Sequence, residues 1–152
     1  MSVRRRAVIT GIGLITSVGD DRPSTWRAVR EGEAGAVTHD VERVGAIAAG
    51  VARTPDLDDV LGRREARRMD RAGQLAAAAA AEALADAGDI GLEATRMGVA
   101  VGSAHGGAAT LDAAFRALHE RGADRVSPFS VPLSLANSPA AATARAHGLR
   151  GP

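Results

Sequence analysis

The chain contains no cysteine, which excludes disulfides, cysteine-ligated metals and a thiol nucleophile together. It also has no lysine, since all 19 basic residues are arginine. The surplus of Arg and Ala reads first as coding bias and only then as chemistry. Aromatic residues are scarce, limited to Trp26, Phe115 and Phe129. A core must therefore be built from Ala, Val, Leu and Ile. Small side chains let helices sit close to sheets, but each buries less area, so such a segment in isolation is marginally stable. No stretch approaches the roughly 20 apolar residues of a membrane span. No charge of one sign predominates either: the net charge is +1, which gives no support for a nucleic-acid partner.

What is present fits one ordinary globular domain. The 152 residues are 45% hydrophobic and 24% charged, enough for one sizeable core and unlike a disordered tail. Arg4-Arg5-Arg6 followed by an apolar stretch to Val18 imitates a secretory signal. Gly11 and Gly13 break that stretch, Thr10, Thr16 and Ser17 make it polar, and it runs into Asp20-Asp21. A buried strand and turn is the better reading, and a cytoplasmic location is the expectation.

Residues 7–10 read as a short buried strand ended by Gly11 and Gly13. Residues 23–30 read as a helix, with Pro23 in its first turn and Gly32 after its last. Residues 44–51 suggest a second strand. Asp70 is a good N-cap for the Ala-rich run 72–87, which has the highest helix propensity in the chain and stops at Gly88. Residues 97–102 read as a central strand. A helix over 109–121 would carry Leu111, Phe115 and Leu118 on one apolar face. Pro128 and Pro132 predict an extended segment, followed by a last helix over 138–147 with Pro139 in its first turn. Alternating strands and helices predict an α/β architecture, a largely parallel sheet flanked by Ala-rich helices, in one unit.

Several patterns invite a functional reading. Gly11-Ile12-Gly13 follows a strand, as in dinucleotide-binding proteins, but the next glycine is Gly19 and no acidic residue ends a clear second strand. Tight-turn glycines explain it better. Gly102-Ser103-Ala104-His105-Gly106 resembles a nucleophile elbow, yet Val101 stands where the elbow needs glycine and nothing orients His105. His39, His105, His119 and His147 have no metal-ligand spacing. His119 and His147 fall near helix C-termini, which favour a partial positive charge. Arg63, Arg64, Arg67, Arg68 and Arg71 are the one concentration of charge. On a continuous helix, Arg64, Arg67, Arg68 and Arg71 would share a face, diluted by Glu65 and Asp70. A solvated basic face is the plain reading. A docking surface for an acidic or phosphate-bearing partner is the functional one.

Taken in order, the short motifs resemble a known family. They begin with Arg5 to Gly13, Thr25-Trp26 and Gly32 with Gly35. Arg64-x-x-Arg67-Arg68-Met69-Asp70 and Ala83-Leu84-x-Asp86-Ala87-Gly88 come next. Gly98-Val99-x-Val101-Gly102-Ser103, Gly106-Gly107, Ser127-Pro128-Phe129, Pro132, Asn137 and Gly148-Leu149-Arg150-Gly151-Pro152 complete the set. Each is weak alone; the ordered set is strong and covers essentially the whole chain. It resembles the N-terminal half of an elongating type II β-ketoacyl-acyl-carrier-protein synthase.

The resemblance implies a thiolase-like layered fold over residues 1–152, a half-domain that stops before the nucleophilic cysteine. It implies an enzyme in which an acyl chain moves to that cysteine. A malonyl unit on acyl carrier protein then loses carbon dioxide, and the carbanion attacks the thioester, in fatty acid or polyketide biosynthesis. That chemistry needs a lowered thiol pKa, an oxyanion hole and two histidines that favour decarboxylation. The family's cysteine, histidines and lysine have no counterpart here, so the chain alone is expected to be inactive. No cofactor is expected. The partners implied are acyl carrier protein and a second ketosynthase chain, as homodimer or heterodimer, with neither nucleic acid nor membrane. His105, Phe129, Ser130 and Val131 match positions around the acyl pocket. His105 replaces a usually apolar gate and Ser130 a frequently aromatic residue, making that surface more polar. Arg64, Arg67, Arg68 and Arg125 match basic positions that face the carrier protein. The alternative is a non-catalytic remnant that docks carrier protein or a full synthase.

Overall fold

A computed structural model describes residues 6–152; Arg4 and Arg5 lie outside the described residues. Seven α-helices, two single-turn 3-10 helices and one hairpin make up the regular structure of that region. Helix α1 (Arg22–Glu31) starts in a capping box. The Asp21 side chain accepts from the Ser24 amide at 2.7 Å, and the Ser24 hydroxyl accepts from the Asp21 amide at 3.3 Å. Strands β1 (Val37–Val41) and β2 (Gly45–Ala49) pair antiparallel, with Val37 opposite Ala49 and Val41 opposite Gly45. Two short helices, α2 (Leu57–Leu61) and α3 (Arg63–Ala66), lead to the long α4 (Arg71–Ala87). Helices α5 (Ala108–Arg121), α6 (Ser130–Ser134) and α7 (Ser138–His147) complete the set.

The core lies between α4 and α7, the most extensively paired helices. Ala77 is 0% exposed and packs with Met69 and Ala142, while Leu61 and Ala146 close the cluster. Alanine is what makes this possible, because a side chain of one carbon lets two helix backbones approach. Gly73 sits at the same seam: a Cβ added there would lie 3.3 Å from that of Ala142. His147, on the last turn of α7, donates from Nε2 to the Ala77 carbonyl at 2.8 Å.

The expected helices over 23–30, 72–87, 109–121 and 138–147 are all present, with ends within two residues. The sheet differs. Among the described residues the only strand pairing is the antiparallel β1–β2 hairpin, so the expectation of a largely parallel sheet is corrected. Residues 7–10 and 97–102 are extended but form no ladder. Just past the first segment, the Ile12 amide donates to the Asp86 carboxylate at 3.0 Å and the Leu14 amide to Glu82 at 2.8 Å, so side chains on α4 satisfy these backbone donors. Gly13 lies against the Ala79 carbonyl, where any Cβ would collide with the helix backbone. At the other segment, the Gly151 amide donates to the Met97 carbonyl at 3.0 Å and leaves the rest unpaired by strands. With no strand paired beside them, Val8 and Ile9 are 74% and 82% exposed rather than buried.

Three further expectations change. The apolar stripe of α5 does not face the core: Leu111, Phe115 and Leu118 are exposed, and the small residue Ala117 is the one buried. The segment around Pro132 is helical rather than extended, because a proline in the first turn of a helix removes only an amide that would lack a partner there. Finally, Arg71 does not share a helix face with Arg64, Arg67 and Arg68. Helix α3 ends at Ala66, and Asp70 is extended at φ −68° and ψ 163° before α4 begins.

Candidate functional site

The break at Asp70 organises the surface around it. One Asp70 carboxylate oxygen accepts from the Ala72 amide at 3.0 Å and so caps α4. The other accepts from the Thr110 amide at 2.9 Å and the Thr110 hydroxyl at 2.6 Å. The residue is buried. One side chain thus ties the start of α4 to the start of α5, and its charge is spent on those donors rather than on nearby arginines.

Arg64, Arg67 and Arg68 are exposed on the short stretch before this break. Arg67 and Arg68 line a groove of about 680 Å³ together with Ser127, Phe129, Pro132, Leu133 and Arg145. The groove has a cationic wall and an apolar floor. Arg64 does not line it. Arg125 lies on the other side of Phe129, in a smaller cavity of about 260 Å³ that also includes Ser130, Thr110 and Ala117. Phe129, Ser127 and Leu133 form the partition between the two. Phe129 is 67% exposed and Val131 69%, whereas Ser130 is buried.

The glycine pair Gly106-Gly107 brings its loop onto α6. A Cβ on Gly107 would collide with the Leu133 carbonyl, and one on Gly106 would lie 3.0 Å from the Ala136 backbone. His105 therefore sits beside the far end of α6 from Phe129 and Ser130, and neither His105 nor Val131 lines either cavity. Ser103 accepts from the Gly106 amide at 2.9 Å. That is the hydrogen bonding of a turn, and it aims nothing at His105.

Arg145 was not legible as a member of this surface. It projects from α7 and pairs with Glu65 at 3.1 Å, across 80 residues of sequence. Glu65 also pairs with Arg68 at 3.5 Å. No local pattern links residues so far apart. The contacts of Glu82 and Asp86 with a segment some 60 residues earlier have no local sequence signal either: Asp86 pairs with Arg22 at 2.6 Å and Glu82 accepts from the Arg22 amide at 2.8 Å. They hold the 12–14 segment and the start of α1 to one face of α4.

Comparison of the fold with solved structures defines its class. It superposes on the crystal structure of a β-ketoacyl synthase from Burkholderia phymatum STM815 with a TM-score of 0.78 and 27% identity, over 95% of this chain and 37% of that one. It also superposes on a structure described as a type II PKS acyl-carrier protein in complex with its ketosynthase bound to the hexaketide. There the TM-score is 0.78 at 20% identity, over 98% of this chain and 41% of that one. The architecture is that of the ketosynthases, which have the thiolase-like fold.

Residues 4–152 match the family described as β-ketoacyl synthase, N-terminal domain. The chain belongs to that family. It is 38% identical over 154 aligned positions to the 3-oxoacyl-[acyl-carrier-protein] synthase 2 of Vibrio harveyi, covering 98% of this chain and 37% of that protein. The chain thus spans little more than a third of the length of this relative. No described helix is long and apolar enough to cross a membrane.

Proposed function

We propose that this chain is the N-terminal region of an elongating ketosynthase, which condenses an acyl thioester with malonyl-acyl carrier protein in fatty acid or polyketide biosynthesis. One observation carries the reading. The family match runs over residues 4–152, yet the chain holds no cysteine to receive an acyl group. Its contribution is pocket and docking surface, and the acyl transfer and decarboxylation belong to residues outside it. Its place of work is the cytoplasm.

Within that role, Phe129, Ser130, Val131 and His105 contribute to the acyl pocket, and the exposure of Phe129 and Val131 suits contact with a second ketosynthase chain. Arg64, Arg67, Arg68 and Arg125 face the carrier protein. The groove supports this role for Arg67 and Arg68, because exposed guanidinium groups beside apolar side chains complement an acidic helix with an apolar stripe. The same groove supports the second reading, a non-catalytic remnant that docks carrier protein or a complete synthase.

The assay is direct. The purified chain is incubated with malonyl-acyl carrier protein and an acyl thioester, and carbon dioxide release and condensation product are followed. Neither is expected above the rate without protein. Measurable turnover by this chain would refute the assignment of the chemistry to other residues. Reading the gene beyond the codon for Pro152 separates the two readings: an in-frame Thr-Ala-Cys shortly downstream selects the ketosynthase, and its absence selects the remnant.

A further inference from the structure

We infer that Glu65 is an internal competitor for the docking groove, holding Arg68 and Arg145 in ion pairs that an acidic helix of the carrier protein must displace. The inference rests on the proposal that the groove docks that partner, and it adds Arg145 to the residues that do so.

Glu65 reaches both arginines at once. Its Oε1 lies 3.5 Å from an Arg68 terminal nitrogen and its Oε2 accepts from Arg145 Nε at 3.1 Å. Both arginines line the groove with Arg67. The other carboxylate in this stretch, Asp70, is buried and committed to Ala72 and Thr110. Glu65 is therefore the carboxylate that sets how much positive charge the groove presents. The Arg145 contact is through Nε, so the terminal nitrogens of that guanidinium remain available for a second, bidentate partner. The pairs are half-exposed, with the Glu65 side chain 31% accessible and Arg145 50%. Such pairs exchange readily with solvent and are individually weak. A contact of that strength can be displaced by a partner that offers several carboxylates, while it discriminates against one that offers a single charge.

The test measures binding of unacylated acyl carrier protein to this chain at low ionic strength. Glu65→Gln is expected to tighten binding about fivefold, the upper range for weak half-exposed pairs. Glu42→Gln removes the same charge from the distant hairpin loop and is expected to leave affinity unchanged. In the Glu65→Gln background, Arg145→Gln is expected to reduce the gain to the share that comes through Arg68, because Glu65 is coupled to both arginines. The gain should shrink as salt is added. Melting curves of each variant confirm that the fold persists. Equal gains from Glu65→Gln and Glu42→Gln would overturn the inference, as would a gain that Arg145→Gln leaves undiminished. The docking reading fails separately, if neutralising Arg64 and Arg67 together leaves the affinity of the parent chain unchanged. Absence of binding in every variant overturns both.

Discussion

The α4–α7 layer and the two extended segments flanking it use similar residues to opposite effect. Between the helices, Ala77, Ala142 and Met69 are buried, and every nearby polar group named above has a partner. In residues 7–10, larger apolar side chains stand in the open, with Val8 and Ile9 mostly exposed. The difference is one of what each element needs. A helix satisfies its own amides and carbonyls, so two Ala-rich helices need only shape to pack. An extended segment must find partners for its backbone outside itself. Just beyond residues 7–10, the Ile12 and Leu14 amides find the carboxylates of Asp86 and Glu82 on α4, while Val8 and Ile9 stay uncovered. The helical layer is thus internally complete, and the extended segments are surfaces that call for a neighbour.

The comparison is tested most severely at Asp70. Replacing it with alanine removes the cap of α4 and leaves the half-buried Thr110 amide without its acceptor. The expected loss is about 2–4 kcal/mol, combining a helix cap with an unsatisfied half-buried donor. Denaturant melts measure it, and a change below 1 kcal/mol would show that the helical layer does not depend on this tie.

At the extended segment the expectation is reversed. Val8→Thr combined with Ile9→Thr should alter stability by less than about 0.5 kcal/mol, because neither side chain is buried in this chain. The same pair should reduce self-association and the binding of dyes specific for exposed apolar surface. A large loss of stability with no change in association would mean that the segment is already covered.

The smallest effect concerns α1, which is tied to α4 through Arg22. The Ser24 hydroxyl and amide, with Arg27 nearby, hold the Asp21 carboxyl below the usual carboxylate range. Since the folded value is the lower one, the cap contributes stability above the carboxyl's unfolded value and loses it as pH falls through the folded value. Titration of the Asp21 carboxyl carbon by NMR should show a midpoint below that of a model aspartate. Ser24→Ala should return it toward the ordinary value. A midpoint unaffected by that substitution would detach the shift from the capping box.

Much of the helical layer could be read without coordinates. Asp70 before an alanine run, Gly88 after it, and Pro139 in the first turn of the last helix are local signals, and each marks the boundary it suggests. The family was legible for the same reason, as an ordered series of short motifs. The candidate site was legible only in part. Arg67, Arg68 and Phe129 meet at one groove, but Arg64, His105 and Val131 do not line it, and Arg125 lies across the partition. The stripe of Leu111, Phe115 and Leu118 has the spacing of a buried face and is exposed, because periodicity locates a face without saying what covers it.

By itself the sequence determined the four longer helices, the absence of a thiol, and membership of a family, because these depend on neighbours a few residues apart or on composition. The tertiary structure alone decided that Asp70 is spent on the Ala72 and Thr110 donors while Glu65 pairs with arginines, that Arg145 reaches Glu65 across 80 residues, and that the Ile12 and Leu14 amides bond to carboxylates of α4. Charges and backbone donors take whichever partner the fold brings within reach, and sequence distance does not record that reach.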